Sequence, residues 1–380
     1  KYVYDSLNEL KEEYDYVNKF YINYSYDRAG NLQNKYEQVL DPTYGYPTGT
    51  QNGNTYEYTD TSWKDKLTKV NGSNISYDAN GNPLSYRDGM SFEWENGRIL
   101  KNINTSDKAI QMSYDSNGMR TQKTVDGVKT NYYYDSNKNL IALVKGNDTL
   151  LFYYDSDGSA TSFSYNGTMY FYVKNLQGDV IRIIDLAGTE VASYVYDAWG
   201  NIKDTKGEPT IREINPIRYR GYVYDTETGL YYLQSRYYDP FAGRFLNADA
   251  YCDTMSGSPL STNMFAYCEN DSINYADYDG FRITVNVKRT NNSYVLKVKL
   301  PWSDISNYFN YRSIAYGIVG LVACFIPEPV VSKALGVAAG IASLASAIAS
   351  TLISNYKKNK SIIFKMSFNY QKVKKTAYFY

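Results

Sequence analysis

The chain has 380 residues, of which 44 are Tyr and none is His, and its formal charge is zero. Without histidine there is no Ser-His-Asp or Cys-His catalytic site, no HNH-type nuclease, no histidine-bearing deaminase signature and little basis for a catalytic zinc. Three cysteines (Cys252, Cys268, Cys324) with no CxxC pair give no disulfide framework, so no cofactor or metal is expected. The charge is unevenly divided: residues 281–380 carry 14 Lys and Arg against two acids, Asp304 and Glu328, a net +12 that the rest of the chain balances at −12.

Lys1-Tyr2-Val3-Tyr4-Asp5 already reads as the inside of a repeat, with no signal peptide before it. The expectation is a C-terminal part of something longer. To about residue 240 a short phrase recurs, clearest in Tyr26-Asp27-Arg28-Ala29-Gly30-Asn31 and Tyr77-Asp78-Ala79-Asn80-Gly81-Asn82. Tyr114-Asp115, Tyr134-Asp135 and Tyr154-Asp155 are 20 residues apart, and Tyr196-Asp197 and Tyr224-Asp225 follow. Alternating aromatics end a strand, Asp bonds its own backbone two residues on, and Gly or Asn accepts a positive φ. Twenty residues make one hairpin. A lone hairpin is marginal in water, so neighbours must stack into a long antiparallel sheet. The Tyr-Asp pairs are read as structural.

Residues 216–249 are the densest stretch: Arg220-Gly221-Tyr222, Tyr224-Asp225-Thr226-Glu227-Thr228-Gly229-Leu230-Tyr231-Tyr232-Leu233, Arg236-Tyr237-Tyr238-Asp239-Pro240, Gly243-Arg244-Phe245-Leu246 and Asp249. This phrase closely resembles the core domain of the rearrangement-hotspot (RHS) or YD-repeat family, and the upstream phrases resemble that family's repeats. The resemblance spans residues 1 to about 280. It implies a mainly β fold, with antiparallel YD-repeat hairpins forming a curled or spiral β shell closed by an RHS core. It also implies a secreted or surface-associated bacterial protein whose variable C-terminal segment, often a toxin, is released by self-cleavage. The domains expected are a shell segment over 1–215, the core over 216–281 and a cargo over 282–380. The cargo is the shell's first partner, and a cognate immunity protein is a second.

The family's cleavage uses two aspartates and an arginine. Carried over by motif, these are Asp249, Asp277 and Arg236, with the cut between Phe281 and Arg282. Three positions depart from the family: Ala250 and Tyr278 stand where it has proline, and Phe281 where it has leucine. Asp279 competes with Asp277. The chemistry suits a chain without histidine: two close carboxylates do not both ionise easily, so one activates water while the other donates to the scissile carbonyl. Arg236 would stabilise charge. Such a cut is a single turnover. The alternative is that Asp249 and Asp277 are turn residues in a site that does not cleave.

In the tail, Ile283–Lys288 and Tyr294–Leu300 read as a hairpin around Thr290-Asn291-Asn292-Ser293, and Ile362–Tyr370 with Val373–Tyr380 as a second, basic one. Between them, Tyr311–Ile326 and Val330–Ser354 read as an apolar helical hairpin broken by Pro327-Glu328-Pro329, which makes the cargo a small α+β domain. The second helix would be about 37 Å long, enough to span a bilayer. Its aliphatic stripe is Val337, Ile341, Leu344, Ile348 and Leu352, beside a track of small residues. The leading expectation is a non-enzymatic, membrane-active tail attracted to anionic lipid. The alternatives are a soluble buried hairpin in a wall-associated structural or adhesive protein, and a toxin aimed at nucleic acid. The tail has no recognised nucleic-acid motif, which sets nucleic acid below lipid as a partner.

Overall fold

The computed structural model describes residues 1–156, 158–249, 260 and 262–277, and the backbone of four strands within 284–379. It divides into two compact units, Lys1–Tyr153 with Ala160–Gly280, and Tyr154–Ser159 with Phe281–Tyr380.

The first unit is built from antiparallel strands that pair in sequence order. Seven strands, Tyr2–Tyr4 to Ser73–Asn74, make one sheet, and fourteen, Ser76–Tyr77 to Ile202–Gly207, make a second. The 20-residue period is one hairpin, as in Arg120–Val125 with Val128–Tyr134 and Leu140–Lys145 with Asp148–Tyr154. A short helix, Pro209–Ile214, leads to a four-stranded sheet of Val223–Asp225, Leu230–Tyr232, Tyr237–Asp239 and Arg244–Phe245.

The Asp of each phrase organises its turn. Asp27 Oδ1 accepts the backbone N–H of Ala29 at 2.8 Å and of Asn31 at 3.0 Å, while Asn31 Nδ2 donates back to Oδ2 at 3.0 Å. Asp78, Asp135 and Asp197 repeat this pattern with Asn82, Asn139 and Asn201. The Tyr has its own task. The hydroxyls of Tyr26, Tyr114, Tyr134 and Tyr196 donate to the carbonyls of Leu10, Leu100, Arg120 and Val180, each the first or second residue of the preceding strand. Lys174 does the same to Ala160 with its ammonium. The pair therefore satisfies the turn through Asp and the start of the preceding strand through Tyr.

The 216–249 stretch packs on the repeats through buried charge. Arg120, with no exposed surface, lies between the Tyr132 and Tyr232 rings and donates twice to Asp225, at 2.5 and 3.1 Å. Lys123 reaches Asp225 at 2.8 Å and Glu227 at 2.7 Å. Arg87 grips Asp239 with two bonds of 2.9 Å, and Arg244 donates to the Asp65 carbonyl. The turn after strand Glu190–Tyr196 is a hub. The hydroxyls of Tyr219, Tyr238 and Tyr231 donate to three successive carbonyls, Ala198, Trp199 and Gly200. Gly200, at φ +90, leaves no room for a side chain, because a Cβ would lie 2.6 Å from the Tyr219 ring. The same turn and the strand after it meet strand Leu32–Leu40: Asp197 pairs with Lys35, and Lys203 with Glu37.

In the second unit, Thr284–Thr290, Ser293–Leu300, Ile362–Asn369 and Val373–Phe379 form one antiparallel sheet, so the two expected hairpins join edge to edge. The register sets Lys288, Lys297, Lys299, Lys365 and Lys374 at positions of one parity, with Val295 and Ile363 among them, and Val287, Leu296, Val298, Phe364 and Phe368 at the other, with Arg289 and Lys375 among them. The expected helices, with Val337, Ile341, Leu344, Ile348 and Leu352, lie outside the described residues. No helix among the described residues is long and apolar enough to cross a membrane.

Candidate active site

Arg236 immediately precedes strand Tyr237–Asp239, after a tight kink at Gln234, where φ is 60°. Asp249 follows strand Arg244–Phe245, held by its N–H bond of 2.8 Å to the Met264 carbonyl. Asp277 arrives from residues 268–277 and donates its N–H to the Tyr222 hydroxyl at 2.9 Å, which in turn meets the Tyr267 hydroxyl at 2.9 Å. Three segments distant in sequence therefore converge. Arg236 Nη2 lies 3.0 Å from Asp249 Oδ2 and 3.6 Å from Asp277 Oδ2. Nη1 donates to the Met264 carbonyl at 3.2 Å, so Arg236 and Asp249 share one anchor.

All three side chains are buried: 2% of Arg236, 8% of Asp249 and 8% of Asp277 is exposed. The guanidinium carbon lies 3.5 Å from the centre of the Phe245 ring. A cation against an aromatic face, away from water, interacts strongly with what it touches. One cation thus faces two carboxylates. Oriented this way, the carboxylates can pass a proton to and from a group placed between them, with Arg236 fixing both. Cys268 lies close enough to feel the Asp277 charge. Burial first, and that charge second, push its thiol well above the usual range, so it is a thiol and not a nucleophilic thiolate.

The three residues carried over by motif are brought together. Phe281 and Arg282, the expected cleavage point, lie outside the described residues, as does Asp279. The sequence reading missed the Tyr222 hydroxyl and the Met264 carbonyl that hold the aspartate backbones. Tyr222 is one of 44 tyrosines, and a main-chain acceptor leaves no mark in a sequence.

The teneurin YD-shell family model matches residues 1–273. The tRNA3(Ser)-specific nuclease WapA of Bacillus spizizenii is 37% identical over 285 residues, 73% of this chain, and the tRNA nuclease WapA of Bacillus subtilis strain 168 matches equally. This chain spans 12% of the length of each. Among solved structures, the TcdB2-TccC3-Cdc42 crystal structure superposes with a TM-score of 0.58 at 18% identity, covering 74% of this chain and 15% of that one. The Photorhabdus luminescens Tc holotoxin pore gives 0.57 at 17% identity, covering 76% and 15%. The likeness to those structures is one of fold: antiparallel sheets with very little helix. The strand order, the Tyr-Asp turns and the family match agree, and the chain belongs to the teneurin YD-shell family.

Proposed function

We propose that this chain is the shell and core of a secreted or surface-borne bacterial toxin, and that residues 282–380 are its effector, directed at nucleic acid. The observation that carries this reading is the 37% identity to two Bacillus tRNA nucleases over 73% of the chain. It changes the order of the readings made from sequence, where a membrane-active tail stood first and nucleic acid was set low. Five lysines of the second sheet, Lys288, Lys297, Lys299, Lys365 and Lys374, share one parity and suit a phosphate backbone. With no histidine, the tail's carboxylates are Asp304 and Glu328, and these two are our candidates for a general base.

Release of the effector rests on Arg236, Asp249 and Asp277. One aspartate takes a proton from water, the other donates to the scissile carbonyl, and Arg236 holds both in place. The intact mass of purified protein tests this step. The expected products meet at Phe281–Arg282, and D249N or D277N leaves the chain whole. A wild-type chain that stays whole removes the cleavage. Expression of residues 282–380 in a bacterium tests the target. Degraded tRNA behind intact membranes is the expected result, and dye entry with intact RNA would restore the membrane reading.

A further inference from the structure

A second buried ionisable cluster lies apart from the Arg236 site. Lys35, on strand Leu32–Leu40, is 7% exposed, and its Nζ lies 2.5 Å from Asp197 Oδ2, 162 residues later. Glu13, 3% exposed, completes the set. Its Oε2 accepts the Ala198 N–H at 2.9 Å and the Tyr24 hydroxyl at 3.0 Å, which places its carboxyl against the Asp197–Ala198 peptide. Burial, and then the Asp197 charge, push the Glu13 carboxyl up, so it tends to hold a proton. The walls are aromatic: Trp199 is 1% exposed, and Tyr24 meets it edge-on with ring centres 6.1 Å apart.

The other buried lysine–aspartate contact in the core, Lys123 with Asp225, differs in one respect. There Arg120 donates twice to the same carboxylate, and burial is outweighed by Arg120 and Lys123, which lower the pKa of Asp225 and keep it ionised. Asp239 is likewise gripped by Arg87. Asp197 has no arginine among its described partners. Its contacts are the N–H groups of Trp199 and Asn201, the Asn201 amide and Lys35. The turn is also rigid, because its three next carbonyls are each held by a core tyrosine. An amine pressed against a carboxyl group, in a dry pocket, with a protonated acid beside it and no freedom to separate, has the geometry for condensation.

We propose that Lys35 and Asp197 join in an isopeptide bond, with Glu13 as the proton shuttle. The ammonium of Lys35 gives up a proton to the Asp197 carboxylate, and the freed nitrogen attacks the carboxyl carbon. Glu13 donates a proton to the departing oxygen and takes back the second proton from nitrogen. The C–N bond forms, one C–O bond breaks and one water leaves. Charge is conserved, because an ion pair becomes a neutral amide, and no oxidant or external reagent is needed. The bond would staple strand Leu32–Leu40 to the turn after strand Glu190–Tyr196.

The mass of the purified chain, measured after complete denaturation and reduction, tests this. The expected mass is that of the sequence less one water, carried on the N-terminal product if the chain has been cut. Proteolytic mapping is then expected to yield one branched peptide joining Lys35 to Asp197. K35R keeps the charge but cannot condense, and it regains the water; E13Q slows the gain of the cross-link in freshly made protein. Should either variant fold poorly, the wild-type map still decides. A full sequence mass after prolonged incubation, or a water lost within a linear peptide, overturns the proposal and leaves an ion pair.

Discussion

At the scale of residues, buried arginine–carboxylate pairs do most of the fastening. Replacing Arg120 by Met leaves Asp225 buried with only Lys123, and the expected loss is about 3–5 kcal/mol of stability, read from urea unfolding. Adding D225L to R120M should return much of that loss, because an apolar pair carries no desolvation cost. Glu9 gives a pH signature. It is 1% exposed, it accepts from Asn270 at 2.8 Å, and burial is the main force pushing its carboxyl up to about 7. A folded-state pKa above the unfolded one means that stability is present in full below the unfolded value, near 4.5, and is lost as pH rises through about 7. E9Q should flatten the stability profile across that window and leave the protein more stable than wild type at pH 8, measured by thermal unfolding in matched buffers. Little of this was legible in the sequence. Arg120 and Glu9 stand in no motif, and their partners lie 105 and 261 residues away. Arg236, Asp249 and Asp277 were found through the family phrase, since nothing in their spacing says that they meet.

At the scale of elements, hairpins and turns were the most legible part, because every determinant is local. Period-two aromatics, Asp and Gly lie within ten residues of one another, so the alternation gives both strand and turn. What stayed hidden was the role of the Tyr in each Tyr-Asp pair. Its hydroxyl ends on a main-chain carbonyl about fifteen residues back, and carbonyls carry no sequence signal. Y134F removes the bond to the Arg120 carbonyl, 3.0 Å long, and should cost about 1 kcal/mol. The turn after Tyr134-Asp135 carries a strain that its sisters avoid: Lys138 sits at φ 64 where Asp27 and Asp78 turns have Gly30 and Gly81. K138G should stabilise the protein by roughly 0.5–1 kcal/mol, the left-handed penalty less the entropy of Gly, with a matching rise in melting temperature. The tail's two hairpins were also visible in alternation. Their fusion into one sheet was not, since strand Ser293–Leu300 meets strand Ile362–Asn369 across an interval of unrelated sequence.

At the scale of the first unit, the RHS-like stretch changes what kind of repeat protein this is. A solenoid whose units touch only their neighbours unfolds piecemeal. Here residues 219–245 reach back to Arg87, Arg120, Lys123 and the 198–200 turn, which ties distant hairpins to one element. A chain ending at residue 215 should therefore unfold over a broader range of urea than the first unit does in the full chain, followed by tryptophan fluorescence and circular dichroism together. Coincident steep transitions in the truncated chain would show that the hairpins need no fastening.

The bond from Asn270 to Glu9 spans 261 residues, and it bears on synthesis as well as stability. Chains emerge from the ribosome at roughly 5–20 residues per second, so about ten seconds to a minute separates the appearance of Glu9 from that of Asn270. Throughout that interval the Glu9 carboxyl lacks the Asn270 amide, and the loop that must close is long. Protection of the hairpins around Glu9 should thus be completed only after the Asn270 segment is made, and a nascent chain stalled before Asn270 should be more open to proteolysis at those hairpins than the finished chain.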